Sequence, residues 1–272
     1  MDLTLLLKSL IMGIVEGLTE FLPVSSLGHV IIIGDLLHFP ADIAATFEIF
    51  VQTGALIALI LYFARDLITL FVQARTRPDA RHLLLAVAVA FLPAAIIGFL
   101  FGDLIKQFLF NPISVAAALL IGGVLMLLAE QIVQNRPAQV RALANVDLKR
   151  ALAVGLSQVL ALYPGMSRSA PTIAGGLLAS LDRPTALRFS FYLAIPTLLA
   201  ASAFDLVRSL GTITLGSMPS FAIGAVTSFL VALVVIHFFL SYVSSHTLRP
   251  FAWYRIVVGL GMLVVYTHFF AA

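Results

Sequence analysis

Residues 16–29 read EGLTEFLPVSSLGH and place a proline inside an apolar segment. The pattern over 3–22 is that of an apolar helix, and only a short apolar piece follows the proline before Gly34. A helix needs roughly 20 apolar residues to cross a bilayer, so this second piece cannot span one. Irregular backbone at membrane depth is tolerated only where protein or a water-filled cavity covers it. The stretch therefore predicts a re-entrant pair of short helices.

A second broken segment follows in the other half of the chain. Residues 151–163 form a short helical pattern, PGMSRSAPT occupies 164–172, and a short apolar piece then ends at Leu181. The halves also share residues 142 positions apart: Gly13 with Gly155, Glu16 with the polar Gln158, and Phe47 with Phe189. Paired broken helices meet around a site in proteins built from inverted repeats. We predict one membrane domain of two inverted-topology repeats, 1–133 and 151–272, joined by a polar linker at 134–150.

The composition agrees with a membrane protein. Of 272 residues, 61% are hydrophobic and 11% are charged, and the mean hydropathy is +1.08. The apolar runs are continuous rather than alternating with period two, so they predict helices and not a β-barrel. The predicted fold class is an all-α integral membrane protein, a polytopic helical bundle with long apolar runs at 43–64, 84–102, 113–129, 219–240 and 252–270.

Charge patterning gives an orientation. Two linkers are rich in basic residues, which are Arg65, Arg75, Arg77 and Arg81 in the first and Arg136, Arg141, Lys149 and Arg150 in the second. By the positive-inside rule both linkers are predicted to be cytoplasmic. Lys8 interrupts the first apolar run, so a removable signal peptide is not expected. The chain has no cysteine, P-loop, dinucleotide fingerprint or HExxH motif, and nucleic acid is not an expected partner.

Two acids lie in the first broken segment. Glu16 and Glu20 are four residues apart, which stacks both carboxyl groups on one helix face. A charged residue at the bilayer centre costs on the order of 2.5–3.5 kcal/mol, so such acids usually bind a metal, handle protons or pair with a buried base. The alternative is that both lie at a helix end in the headgroup region.

The loop after these acids supplies Ser25, Ser26 and His29. A hydroxyl and an imidazole three residues apart make Ser26 and His29 a candidate nucleophile and base. Ser25 is placed for substrate binding, but a serine after a proline break more commonly caps the next helix. We therefore favour a cap for Ser25 and a catalytic role for Ser26 and His29.

The second loop has the composition of a phosphate cradle. Arg168 stands between Ser167 and Ser169, Gly165 permits a tight turn, and Thr172 lies near the start of the next helix. A guanidinium, hydroxyls and free backbone amides together bind phosphate. The alternative is an arginine that extends to the membrane surface, which would not need a purpose-built turn.

Glu48 and Gln52 form another polar pair four residues apart within an apolar run. They are predicted either to line the same interior as substrate-binding residues or to form hydrogen bonds between helices. The sequence does not choose between these two roles.

Two long motifs, EGLTEFLPVSSLGH (16–29) and PGMSRSAPT (164–172), closely resemble the undecaprenyl-diphosphate phosphatase family of the bacitracin-resistance type. The resemblance also covers TFEIFVQTGA (46–55) and RFSFYLAIP (188–196) and extends over essentially the whole chain. It implies a bacterial inner-membrane enzyme that hydrolyses undecaprenyl diphosphate to the monophosphate and so regenerates the carrier for cell-wall synthesis. Leu27 and Ala170-Pro171 depart from the usual family pattern without removing a titratable group.

The resemblance implies that Glu16 and Glu20 are the acidic pair, Ser26 and His29 the loop residues, and Arg168 the phosphate-binding arginine. Our hypothesis is that Arg168 and a divalent cation, Mg²⁺ or Ca²⁺ held by Glu16, Glu20 or both, offset the diphosphate charge. Ser26 then attacks phosphorus with His29 or a glutamate as base, or these residues activate water.

Competing functions remain at this point. Duplicated halves with broken helices are also typical of transporters, so a lipid or small-solute transporter or flippase is the alternative. Type-2 phosphatidic-acid-phosphatase-like enzymes are not favoured, because Ala174 stands where their nucleophilic histidine would lie. Expected partners are a polyprenyl diphosphate lipid, the bilayer and, as an open option, a second copy of the chain. The family expectation is a site that faces outward from the inner membrane.

Overall fold

The protein is all-helical over the part of the chain that the computed structural model describes, residues 3–209 and 216–268, with the side chain of Lys106 left aside. Its α-helices in chain order are α1 (Leu3–Thr19), α2 (Ser26–Leu36), α3 (Ala41–Tyr62), α4 (Ala64–Gln73), α5 (Pro78–Leu109), α6 (Pro112–Val133), α7 (Leu148–Gln158), α8 (Ser169–Leu178), α9 (Arg183–Ser209), α10 (Met218–Ser245) and α11 (Arg249–His268). Short 3-10 turns lie at Leu143–Asn145 and Val159–Leu162.

Six helices within the described residues are long and apolar enough to cross a membrane: α3, α5, α6, α9, α10 and α11. Five of them confirm predicted runs, although positions 269–270 of the run 252–270 lie outside the described residues. The sixth, α9, was not among the predicted spans, because Arg188, Ser190 and Pro196 interrupt its apolar pattern. The protein is therefore a multi-pass membrane protein.

Helix ends follow local capping rules. Asn111 precedes Pro112 and accepts from the backbone N–H of Ser114 at 2.9 Å, which starts α6. Asp147 starts α7 in the same way by accepting from the backbone N–H of Arg150 at 2.8 Å, and this bond lowers the pKa of Asp147. Helix α7 thus begins inside the predicted linker 134–150.

The first basic linker is more ordered than the sequence suggested. The sequence predicted a linker around Arg65, Arg75, Arg77 and Arg81, but α4 and the beginning of α5 make most of this stretch helical. Helix α4 buries Leu70 and exposes Ile68, Phe71 and Val72. An apolar face of this kind beside basic residues is typical of a helix that lies in the membrane interface.

Helices α1 and α7, each of which precedes a helix break, pack in matching ways on long helices. Helix α1 packs on α10, and α7 packs on α5. A Cβ atom at Gly13 would lie 2.5 Å from the Gly224 carbonyl oxygen, and one at Gly155 would lie 2.4 Å from that of Ala90. Small residues let helix backbones approach closely, which is how helices associate in lipid. The helix that precedes each break is therefore packed closely against a long helix.

Candidate active site

The first break separates α1 from α2. Ser25 adopts a positive φ of 71°, and its hydroxyl oxygen accepts from the backbone N–H of Gly28 at 3.4 Å. Ser25 is therefore the N-cap of α2, which confirms the capping interpretation. The turn also fixes the direction of its neighbour, because Ser26 is the first residue of α2.

Glu20 lies at the centre of the site. The Ser26 hydroxyl donates to Glu20 Oε2 at 2.7 Å, while Glu20 Oε1 lies 3.7 Å from Arg168 Nη2. The Glu16 and Glu20 carboxyl groups lie close enough to repel each other when both are ionised. Both acids are buried, at 4% and 6% exposure, so the alternative of a solvated helix end does not hold. Two carboxyl groups in such contact share a proton or a cation.

The second break brings Arg168 to these acids. Gly165 has a φ of 91°, and a Cβ atom there would lie 2.5 Å from the Val115 carbonyl oxygen, so the turn requires glycine. Ser167 follows with a φ of 69°, and α8 begins at Ser169. The Ser169 hydroxyl donates to the Leu22 carbonyl oxygen at 3.0 Å. This bond joins the two breaks directly.

Arg168 is buried with donors to spare. Its Nη1 donates to the Ser190 carbonyl oxygen at 3.4 Å, whereas its Nε and Nη2 are buried without a hydrogen-bond partner. Thr172 packs beneath it, with its hydroxyl 2.6 Å from that of Ser190 and 2.9 Å from the Arg168 carbonyl oxygen. Unsatisfied buried donors are costly, so their presence beside the acids indicates a place for an anion.

Arg255 of α11 supports both breaks, and sequence reasoning missed it. It is fully buried, and its Nη1 donates to the carbonyl oxygens of Pro23 at 3.2 Å and Met166 at 2.9 Å. Its remaining bonds go to the carbonyl oxygens of Gly165, Ala118 and Leu119. A lone arginine within the apolar run 252–270 was the available signal, because a charged residue within a membrane span usually has a partner or a function.

His29 lies apart from the Ser26–Glu20 contact. Its Nδ1 is 2.7 Å from the Ser25 carbonyl oxygen, and its Nε2 is 2.7 Å from the Tyr254 hydroxyl. The rings of His29 and Tyr254 are also stacked. A carbonyl oxygen accepts only, so Nδ1 carries a proton. The geometry thus offers Glu20 to Ser26 as the nearest base, while catalysis by His29 stays a prediction.

A cavity of about 490 Å³ reaches the site. Glu16, Ser26, Glu48 and Gln52 are among its lining residues, and so are Asp205 and Arg208. Glu20, Arg168 and the hydroxyls of the second break are not among the lining residues. The cavity therefore contacts the site at Glu16 and Ser26.

The carboxyl groups suit a hard cation. No group of three or more His, Asp or Glu side chains in the described part of the chain is placed to hold a metal ion by itself. Glu16 and Glu20 still offer oxygen ligands, and Mg²⁺ characteristically binds one or two carboxylates together with substrate phosphates. The donor set therefore fits a divalent cation whose shell is completed by the ligand and by water.

The structure therefore brings most of the predicted site residues together. Glu16, Glu20, Ser26 and Arg168 form one chain of contacts. Ser167 belongs to the turn next to this chain, and its hydroxyl oxygen lies 3.1 Å from the hydroxyl oxygen of Ser169. These features define a helical membrane protein that buries two carboxyl groups, a hydroxyl and an arginine where two helix breaks meet.

Comparison with known proteins makes the class specific. A family model described as "Bacitracin resistance protein BacA" matches residues 9–261. The chain is 46% identical to the undecaprenyl-diphosphatase of Polaromonas naphthalenivorans (strain CJ2) over 265 residues, which is 97% of this chain and 96% of the relative. It is 44% identical to undecaprenyl-diphosphatase 1 of Pseudomonas fluorescens (strain Pf0-1), covering 98% and 96% of the two chains. The chain belongs to the BacA family.

Proposed function

We propose that this protein is a membrane phosphatase that hydrolyses undecaprenyl diphosphate to undecaprenyl phosphate and inorganic phosphate. The observation that carries the proposal is the buried Arg168 guanidinium beside the Ser26–Glu20 hydrogen bond: its Nε and Nη2 have no hydrogen-bond partner, and Nη2 lies 3.7 Å from Glu20 Oε1. An arginine with free donors binds phosphoryl oxygens, and a serine held by a carboxylate can attack phosphorus. The names of the relatives supply the substrate.

The proposed reaction divides the work between the two breaks. Arg168 binds the terminal phosphoryl oxygens and offsets the charge that develops on them. Glu20 accepts the proton of the Ser26 hydroxyl as its oxygen attacks the terminal phosphorus. The bond from that phosphorus to the bridging oxygen breaks, and undecaprenyl phosphate leaves. Water then hydrolyses the phosphoserine, which releases inorganic phosphate and restores Ser26.

The alternative to this covalent scheme is direct hydrolysis without a phosphoserine. Water would attack the phosphorus itself, with Glu20 taking the proton and Ser26 orienting the water. A Ser26→Ala enzyme with wild-type turnover would exclude the covalent route and leave this one. Loss of turnover together with a trapped phosphoserine in a slow wild-type reaction would support the covalent route.

A divalent cation is part of the proposal. Glu16 and Glu20 would hold Mg²⁺ or Ca²⁺, which would neutralise diphosphate charge that Arg168 alone cannot. Removal of divalent cations with a chelator should therefore abolish turnover, and one of the two ions should restore it. Full activity after exhaustive chelation would remove the cation from the mechanism.

We also propose two inverted-topology repeats with re-entrant helix pairs. Positive φ values at Ser25 and Ser167, and again at His38 and Ser180, recur 142 positions apart. Lys8 donates to the His38 carbonyl oxygen at 2.9 Å, and Arg150 donates to that of Ala179 at 3.0 Å, so each pair of short helices returns to the end from which it starts. The basic linker at 134–150 lies at the end where α7 starts and α8 ends.

The same reasoning orients the site. Helices α3, α5 and α6 alternate in direction if each spans, which puts both basic linkers at one membrane face and the α1–α2 pair at the other. The cavity is lined by Ala45, Phe110 and Arg208, which lie towards this second face. We therefore propose that it opens outward from the bacterial inner membrane. Because one chain supplies every group of the site, a homodimer is not needed for catalysis.

Phosphate release in detergent tests the function. The purified protein should release inorganic phosphate from undecaprenyl diphosphate, and Glu20→Ala should not. A lipid or solute transporter would release none, because transport has no meaning in a micelle. Absence of release by well-folded wild-type protein with Mg²⁺ or Ca²⁺ would overturn the proposal in favour of that alternative.

A further inference from the structure

A second cavity, of about 400 Å³, lies at the end of the molecule that carries the basic linkers. It is formed between the linker 134–147 and the turn from α8 to α9, and it shares no lining residue with the active-site cavity. Arg136, Arg141 and Arg183 line it, together with Val133 and Leu177. Three arginines around one opening require an explanation, because like charges repel unless each is matched by an acidic side chain or a bound anion.

The walls of this cavity are held in place by backbone pairing. The Gln139 and Val140 N–H groups both donate to the Ser180 carbonyl oxygen, at 2.9 and 3.2 Å. The Asp182 N–H donates to the Val140 carbonyl oxygen at 2.9 Å. Arg150 adds a bond from Nη2 to the Gln139 side-chain oxygen at 2.7 Å. The linker is therefore fixed to the α8–α9 turn, and the cavity is preformed.

The charges in the lining are unevenly matched. Arg183 is neutralised by Glu130, which accepts from its Nη1 at 2.5 Å and its Nη2 at 2.6 Å. Asp182 caps α9 by accepting from the Thr185 N–H at 2.9 Å. In the part of the chain that the structure describes, the Arg136 and Arg141 guanidinium groups form neither a hydrogen bond nor an ion pair. Two exposed positive charges are thus left facing the opening.

The surroundings favour a lipid as the source of the anion. Val133 ends α6 and Ser244 lies in the last turn of α10, so the cavity lies where membrane-spanning helices end and headgroups begin. One part of its lining is apolar, through Leu177, Leu181 and Pro184. A free phosphate ion would use only the arginines, whereas a phospholipid would use the arginines for its phosphodiester and the apolar wall for its glycerol and acyl carbons.

We propose that this cavity binds the headgroup of an anionic phospholipid, such as phosphatidylglycerol, from the leaflet on the basic side. Arg136 and Arg141 would hold the phosphodiester, and Leu177 and Leu181 would contact the glycerol backbone. This proposal does not depend on the proposed phosphatase activity, since none of these residues lies near Glu20 or Arg168.

Native mass spectrometry of the delipidated protein, titrated with phosphatidylglycerol or phosphatidylcholine, tests the site. The wild type should bind phosphatidylglycerol in preference to phosphatidylcholine. The double variant Arg136→Ala with Arg141→Ala should bind phosphatidylglycerol about thirtyfold more weakly, because each arginine near an anionic membrane surface contributes roughly five- to sixfold in affinity. Ala138→Trp keeps both arginines but fills the cavity, and it should weaken binding as well.

A matched control removes the same charge elsewhere. Arg75→Ala with Arg81→Ala neutralises two exposed arginines of the other basic linker, and it should leave the affinity for phosphatidylglycerol unchanged. An equal loss in this control would mean that the basic face attracts anionic lipid without a site, and it would overturn the proposal. Displacement of the lipid by millimolar inorganic phosphate, or equal binding of phosphatidylcholine, would overturn it too.

Discussion

The two helix breaks have similar backbones and opposite chemistry. Each consists of a short helix, a turn whose serine has a positive φ, and a second short helix. The first carries Glu16 and Glu20, whereas the second has Gln158 and Leu162 at the equivalent positions. Arg168, which faces the acids, occupies the position equivalent to Ser26. Neither break alone combines the acids with the arginine, so the site exists only where the two halves meet.

The largest effect is expected from removing the Arg168 side chain, which is the positive charge of the second break. Arg168→Ala should lower phosphate release from undecaprenyl diphosphate by about 10³-fold or more, because arginine clamps carry much of phosphoryl-transfer catalysis. Arg188→Ala, an exposed arginine on the next helix, is the matched control and should keep near wild-type turnover. Full activity in the Arg168 variant would separate the second break from the chemistry.

The second-largest effect is expected from replacing Arg255, which donates hydrogen bonds to both breaks. Arg255→Met leaves the carbonyl oxygens of Pro23, Gly165 and Met166 buried without their donor. The free energy of unfolding, measured in mixed micelles, should fall by about 3–5 kcal/mol. Arg249 lies on the same helix as Arg255 and donates an exposed hydrogen bond to Gln134. Arg249→Ala should change the free energy of unfolding by less than about 1 kcal/mol. Equal effects would show that Arg255 does not hold the breaks.

A reciprocal exchange at one pair of equivalent positions sharpens the comparison. Glu16→Gln gives the first break the residue of the second, and it should lower turnover by about 10–100-fold because one carboxyl group is lost. Gln158→Glu should leave turnover within about threefold of wild type but lower stability by about 1–3 kcal/mol, since it buries an acid whose neighbour is Thr197. Retained turnover in Glu16→Gln would confine the acid requirement to Glu20.

The smallest effect is expected at the serine with a positive φ that each break contains. Ser25→Val and Ser167→Val force a β-branched side chain into positive φ and should each cost about 1–2 kcal/mol of stability. The cost at Ser25 should be slightly greater, because its hydroxyl also caps α2. Thermal unfolding measures both, and Ser25→Gly and Ser167→Gly provide the strain-free controls. A large cost at one position alone would argue against equivalent turns.

The sequence predicted the helical membrane fold better than it predicted the whole arrangement. Continuous apolar runs identified five spans, because length and composition decide whether a helix can cross lipid. Helix α9 was missed since its inward face carries Ser190, which serves the site rather than the lipid contact. Helix α4 was missed because only one of its faces is apolar.

The site was predictable in its residues and not in its contacts. Buried acids and an arginine beside a proline break are signals that a sequence carries, because such groups are costly in a membrane. The pairing of Ser26 with Glu20, and of His29 with Tyr254, depends on how helices from distant parts of the chain pack. Arg255 was overlooked because its partners are backbone carbonyl groups, which no side-chain motif reveals.

A double-mutant cycle across the two breaks tests the central claim most directly. It compares phosphate release from undecaprenyl diphosphate by the wild type, Glu20→Gln, Arg168→Met and the double variant, with folding checked by thermal unfolding. Groups that act as one unit give strongly non-additive losses, so the double variant should lose no more activity than the more damaging single variant. A double variant whose loss equals the product of the two single losses would mean that the two breaks act independently, and it would contradict one shared site.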